Sequence, residues 1–317
     1  MAKAVKLADI AERVGVSTVT VSKALSGQKG VSEEVREKIR SIAEELGYQQ
    51  PSAARKSQNQ KSYNIGILIS ERFLDKYESF YWQMYQAVAT RATAKECFTM
   101  LEVIGMSEEE NGRMPKLVQE RKVDGIIVIG KMMDTYLQHL NTEAGIPVIY
   151  LDYYNGREAS DSVISNSYYG TYELTYYLYR MGHHKIAYVG TLLATESITD
   201  RYFGYQKALL ELGLEQKKEW VVDDRHIETG KIDTVNMLQL PKDMPTAFVC
   251  NCDLTASFLI LYPGLSDIHI TTYEVDMGEM ARRAIHNMIK KITSDNYKSG
   301  VTVVEGRLVL KDSVSHV

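Results

Sequence analysis

The chain has 317 residues, 44% hydrophobic and 25% charged, with a formal net charge of −4. That length suits two or three domains, and that balance is typical of a soluble globular protein. No run of eighteen apolar residues occurs, so no transmembrane helix is expected. The opening Met1-Ala2-Lys3-Ala4-Val5-Lys6 leads into no uninterrupted apolar stretch, so no secretory signal is expected either. Three scattered cysteines (Cys97, Cys250, Cys252) make no disulfide framework and read as reduced thiols of a cytoplasmic protein. Residues 1–62 hold 11 Lys and Arg against 7 Asp and Glu, whereas the remainder holds 26 against 34. A basic head on an acidic body suggests that the head alone meets a polyanion, although charge by itself decides nothing.

Three short helical patterns fill the head. In Leu7–Val14, apolar residues at 7, 10, 11 and 14 make one stripe, and Gly15 is placed to end the helix in the left-handed region. Ser17 can cap a second helix over Thr18–Leu25. A third begins at Ser32, carries Val35, Ile39, Ile42 and Ala43, and stops at Gly47. Ala11 is small enough for two helices to cross at a steep angle. Gly15 supplies the turn, and Val16 and Val21 an apolar plug. This is the helix-turn-helix recipe, with the second helix free to enter a major groove.

The run Asp9-Ile10-Ala11-x-x-Val14-Gly15-Val16-Ser17-x-x-Thr20-Val21-Ser22-Lys23-x-Leu25-Ser26-Gly27, closed by Leu46-Gly47-Tyr48, resembles the DNA-binding head of the lactose-repressor/galactose-repressor (LacI/GalR) family. The resemblance implies that Thr18, Val19 and Lys23 face base edges, that Ser17, Thr20 and Ser22 hold phosphates, and that Tyr48 touches the backbone. The chemistry agrees. Lysine donates to the O6 and N7 acceptors of guanine, while Val19 and the Thr18 methyl suit a thymine methyl. Lys23 stands where arginine is more frequent, which weakens bidentate reading of guanine. A helical protein-interaction module is the competing reading of the same pattern.

Residues 49–62 are polar and nearly devoid of large apolar groups, so they read as a linker. In the resembling family this segment folds on DNA and wedges a leucine into the minor groove. Here Ala54-Arg55 match the family pattern, but Ser57 holds the leucine position and Pro51 comes one place late. A serine is a poor wedge. The expected contact is electrostatic, through Arg55 and Lys56 in the narrow groove.

From Tyr63 onward, apolar strand candidates (63–70, 97–105, 124–130, 146–152, 185–190, 245–251) alternate with helix candidates (78–95, 108–122, 167–182, 197–213, 276–292). Near-continuous apolar strands between helices imply parallel sheets covered on both faces, here as two lobes. Ligands of such sheets bind beyond the carboxyl ends of the strands, so a cleft between the lobes is the natural site. The expected fold is therefore a small all-α head (1–48), a hinge (49–62) and an α/β core of two doubly wound lobes (63–317).

The body is similar to the periplasmic-binding-protein-like core of the same family through Ile146–Asp152, Gly182–Gly190, Arg201-x-x-Gly204-Tyr205, Asn251-Cys252-Asp253 and Ile270-Thr271-Thr272. The resemblance implies an effector site with Arg201 as the strongest contact, followed by Asp152 and Asp253, and with Ser70, Phe80 and Tyr81 along the cleft. Ordinary helix-to-sheet packing explains Phe80 and Tyr81 equally well, and Asp152 reads alternatively as a turn carboxylate. Tyr153, Tyr154, Tyr168 and Tyr169 are expected near the cleft mouth, where rings stack on sugars. Tyr172, Tyr176, Tyr177 and Tyr179 read as packing or dimer surface. Between Asp253 and Thr271 the chain is much shorter than the family pattern. A strand of the second lobe and a ligand-contact aspartate are missing from it. An internal segment lost from the sequence explains this better than a truncated lobe, because loss of a central strand exposes sheet edges and core.

Cys250-x-Cys252 lacks a neighbouring histidine and is no zinc spacing, and His183-His184 opens a strand; no metal or cofactor is expected. No nucleophile-elbow, phosphate-loop, metalloprotease or dinucleotide word occurs, so no catalytic residue is assigned. The expected molecule is a cytoplasmic homodimer that binds operator DNA and answers to a sugar-like effector. Two rivals are a body that binds a protein co-regulator such as a phosphocarrier, and a cytoplasmic sugar-processing enzyme.

Overall fold

The computed structural model describes residues 5–25, 28, 30–46, 48, 62–74, 79–155, 161–233, 237–261 and 271–310. The chain divides into two compact units, 1–61 and 62–317.

In the first unit, α1 (Leu7–Val14), α2 (Thr18–Leu25) and α3 (Glu33–Glu45) enclose a core of Ile10, Ala11, Val21, Ala24, Ile39 and Ala43. Gly15 closes α1 at φ +79, the left-handed turn expected of it. The Ser17 hydroxyl accepts from the Thr20 amide at 3.1 Å and so caps α2. Arg36 of α3 is buried and donates to the carbonyls of Ala24 (2.9 Å) and Gln28 (3.0 Å), tying down the end of α2. We expect Arg36→Ala to cost the head about 2–3 kcal/mol, since two charge-assisted bonds vanish with their packing. Faster amide exchange across α2 and α3 in the full chain, with the body unchanged, is the readout.

The second unit holds two lobes. The first is a parallel six-stranded sheet in the order β2-β1-β3-β4-β5-β10. Its strands are β1 (Asn64–Ser70), β2 (Phe98–Ile104), β3 (Gly125–Ile129), β4 (Val148–Leu151), β5 (Ser162–Ser165) and β10 (Val301–Val304). One face carries α4 (Phe80–Thr93) and the long C-terminal helix α11 (Met277–Thr293). The other face carries α5 (Met106–Glu110), α6 (Lys116–Gln119) and α7 (Asp134–Glu143). The single helix expected over 108–122 is thus two short ones, broken at Pro115, which caps α6 and cannot donate to an earlier carbonyl.

The second lobe has β6 (Ile186–Val189) between β7 (Val221–Val222) and β8 (Ala247–Cys250), all parallel, and a separate antiparallel pair, β9 (Thr272–Glu274) with β11 (Arg307–Val309). It is covered by α8 (Ser167–Arg180), α9 (Glu196–Leu212) and α10 (Asp253–Ile260). Helices α8 and α9 pack tightly because Gly204 admits the backbone: a Cβ there would lie 2.0 Å from the Tyr168 carbonyl oxygen. The order β7-β6-β8 repeats the β2-β1-β3 of the first lobe, but no described strand joins β8 to β9 as β4 joins β3 to β5. Residues 262–270, which span the short stretch noted in the sequence, lie outside the described residues. Strands β5, β7, β9, β10 and β11 and helix α7 had no counterpart among the sequence-derived elements.

Candidate functional site

Two surfaces bear on function. On the head, α2 buries Val21 and Ala24 and turns Thr18, Val19, Ser22 and Lys23 outward; Val19 is 61% exposed. This outward strip lies opposite the Val21 and Ala24 side chains that join the head core. Ser17 and Thr20 share a 2.9 Å hydroxyl–hydroxyl bond at the start of the same helix. Tyr48 is half-buried against the head core. Ala54 and Arg55 lie outside the described residues.

The second surface is a cleft of about 900 Å³ between the lobes. It opens where the strands of both sheets end, as the crossovers of parallel sheets require. Phe80, Tyr81, Asp152, Arg201 and Asp253 line it. Ser70 does not; it is fully buried and donates its hydroxyl to the buried carboxylate of Glu109. Glu109 also accepts from the Met133 amide (2.8 Å) and from Arg72 (3.4 Å), so it braces the floor of the first lobe.

Asp152 follows β4 with φ +60, a strained conformation for a residue with a side chain. It is 5% exposed, and its Oδ2 accepts from the Tyr81 hydroxyl at 3.1 Å. Burial pushes its pKa up to about 6, against the opposing pull of Arg201 and the Tyr81 bond. Tyr81 lies against Gly130, where a Cβ would meet its ring at 2.9 Å, and forms an aromatic wall with Phe73 (4.6 Å) and Phe80 (5.3 Å). A strained, desolvated carboxylate in a cleft costs stability, a cost characteristic of functional sites.

The second lobe contributes a network that the sequence reading missed. Asp224, fully buried after β7, accepts from the Thr191 amide (3.0 Å), Asn251 Nδ2 (2.8 Å), Thr255 Oγ1 (2.6 Å) and the Arg225 guanidinium (2.7 Å). Burial opposes its ionisation, yet the Arg225 bonds and charge, with those from Thr255 and Asn251, hold its pKa at about 2. Arg225 also donates to Asn251 Oδ1 at 2.8 Å and faces the cleft. The available signal was Asp223-Asp224-Arg225 directly after the apolar Val221-Val222, a charged run at a strand end.

Among the described residues, bonds cross between the lobes beside the cleft from Arg72, Lys131 and Tyr154. Arg72 donates to the Glu228 carbonyl (3.0 Å), Lys131 pairs with Glu196 (3.0 Å), and the Tyr154 hydroxyl donates to Asp200 (2.7 Å). Glu196 and Asp200 occupy the first turns of α9, immediately before Arg201, and burial raises the pKa of both carboxyls. Tyr153, placed at the cleft mouth by the sequence reading, is instead buried in the first lobe with its hydroxyl on Asp134 (3.1 Å). Tyr168 and Tyr169 are partly exposed on α8, outside the cleft lining. Among the described residues no group of three or more His, Cys, Asp or Glu could hold a metal, and no helix is long and apolar enough to cross a membrane.

A three-helix head with an outward-facing second helix, joined to a two-lobed core with a cleft, is the architecture of a helix-turn-helix DNA-binding regulator. Comparison with known proteins agrees. Residues 6–51 match the model of bacterial regulatory proteins of the lacI family, and residues 62–262 that of periplasmic binding proteins and the sugar-binding domain of the LacI family. The chain belongs to the LacI family and is a DNA-binding transcriptional repressor, not an enzyme. It is 22% identical to the HTH-type transcriptional repressor PurR of Mannheimia succiniciproducens over 339 aligned residues, which cover 98% of each chain. The cellobiose complex of the transcriptional regulator CelR is similar in fold, at a TM-score of 0.63 and 20% identity over 98% of this chain and 99% of that one. The lac repressor dimer bound to operator and an anti-inducer is similar at 0.60 and 20%, over 99% and 100%.

Proposed function

We propose that this repressor acts in the cytoplasm as a homodimer. The head (1–48) reads a roughly palindromic operator, the hinge (49–62) orders on DNA, and a small sugar-like effector closes the lobes of the core (63–317). In this reading Thr18, Val19 and Lys23 read bases, while Ser17, Thr20, Ser22 and Tyr48 hold phosphates, with Ala54 and Arg55 at the minor groove. Arg201, Asp152 and Asp253 hold the effector against the wall of Phe80 and Tyr81; Ser70 acts only by bracing Glu109. The observation that carries the reading is the outward face of α2, where Thr18, Val19, Ser22 and Lys23 are all exposed. The sugar class is supported by the CelR–cellobiose complex, whose fold this chain shares. The dimer is supported by the outer edge strand β2, where Phe98, Met100 and Val103 are 67%, 39% and 43% exposed. An apolar open edge is an aggregation hazard unless covered.

The test is a gel-shift and anisotropy assay on fragments selected from random DNA by the full-length chain. Lys23→Ala should weaken the selected site by about 1–3 kcal/mol and relax preference at one base pair, leaving non-specific binding nearly unchanged. Uniform weakening across all sequences would remove Lys23 from base reading. Loss of all selectivity in the wild-type chain would remove the regulator reading itself.

A further inference from the structure

Two guanidiniums line the cleft with N–H groups that no described residue engages. Arg201 is half-buried in it and makes no hydrogen bond or ion pair with the described residues. Arg225 commits Nε and Nη2 to Asp224 and Asn251, whereas its Nη1 bonds to none of the described residues and is not sealed from the cleft. Each of the acidic groups nearby has at least one oxygen engaged. Asp224 is filled by four partners, Asp253 accepts from the Thr272 hydroxyl (2.5 Å), Glu274 pairs with Arg307 (2.6 Å), and one Asp152 oxygen holds Tyr81. Both guanidiniums line this one cleft, Arg201 from α9 and Arg225 from the segment that follows β7.

We propose that the effector carries an anionic oxygen group, a carboxylate or a phosphate, held jointly by Arg201 and Arg225. This rests on the effector-site reading above and narrows it. Each hydroxyl of a neutral polyol carries a donor that needs an acceptor of its own, and its oxygen binds a guanidinium less strongly than an ionised oxygen does. An anionic oxygen group brings acceptors only, and its planar or tripodal oxygens match a guanidinium fork. Arg225 is the specificity-determining partner. Asp224 and Asn251 fix its orientation before any ligand arrives, so little rotamer freedom is lost on binding. Arg201, with no hydrogen bond to the described residues, closes on the same group from α9, the helix whose first turns carry the bonds to the first lobe.

The experiment is calorimetry on the full-length protein with glucose, glucuronate, glucose 6-phosphate and inorganic phosphate. At least one anionic probe should bind about tenfold or more tightly than glucose, since a hydrogen bond to a charged group is worth about one such factor. A preference for glucuronate assigns a carboxylate; a preference for glucose 6-phosphate, with inorganic phosphate binding weakly, assigns a phosphate. Arg201→Gln should erase the preference. Arg225→Gln alone strands a buried carboxylate, so the paired change Asp224→Asn with Arg225→Gln is the second variant, and it should erase the preference too. Glucose binding as tightly as the anions would overturn the anionic class while leaving the effector reading intact. A preference that survives both variants would overturn the assignment to these arginines. Silence from all four probes, with no response to a panel of neutral sugars, would overturn the inference and the effector reading together.

Discussion

Asp224→Ala should cost the second unit about 3–5 kcal/mol, the typical penalty for removing one member of a buried charge pair. The carboxylate is fully buried and gathers the ends of β6, β7 and β8 through Thr191, Arg225, Asn251 and Thr255. Its removal leaves the Arg225 cation desolvated and takes an acceptor from the Thr191 amide, Thr255 Oγ1 and Asn251 Nδ2. The pH dependence has a definite sign. A folded-state pKa of about 2, below the ordinary 3.8, means that its contribution is complete above about pH 4 and is lost as pH falls toward 2. Urea unfolding of the variant at pH 7 provides the measurement, and a loss below about 1 kcal/mol would show that the network relaxes around the gap.

Asp152→Asn works in the opposite direction. Its folded-state pKa is raised to about 6, so the native protein binds a proton more tightly than the unfolded chain does. Stability therefore falls as pH rises from about 4 to about 6, and the full penalty persists above that window. Asparagine removes the desolvated charge, tolerates φ +60 better than most residues, and keeps an acceptor for Tyr81. We expect a gain of about 1–3 kcal/mol at pH 7.5 that shrinks to nothing near pH 4, measured by calorimetry across that range. The same variant should lose effector-dependent release or capture of DNA, because a stabilising change at a strained ligand contact commonly costs function. A variant no more stable than the wild type at pH 7.5 would show that Asp152 is solvated in the unliganded cleft.

The two predictions also separate what each level of description contains. The head was legible residue by residue, because its information is local: a stripe of apolar side chains, a left-handed glycine at 15 and a capping hydroxyl at 17 act within a few residues of one another. The core strands were legible where both faces are buried, as in β1, β3 and β6, since such strands are continuous apolar runs. The short strands β5, β7, β9, β10 and β11 were not, because two to four residues carry no readable period and are defined by the neighbour they pair with. The cleft divides in the same way. Arg201 and Asp152 were visible through motif words, whereas Arg225 and Asp224 were not.

By itself, the sequence determined a helix-turn-helix head and an alternating α/β body, since periodicity and capping are properties of neighbouring residues. Only the tertiary structure decided which charges share the cleft, that Ser70 braces Glu109 and leaves the cleft lining, that Tyr153 turns inward, and that Asp152 is both strained and desolvated. Those outcomes depend on burial and on partners dozens of residues away, and a linear chain encodes neither until it is packed.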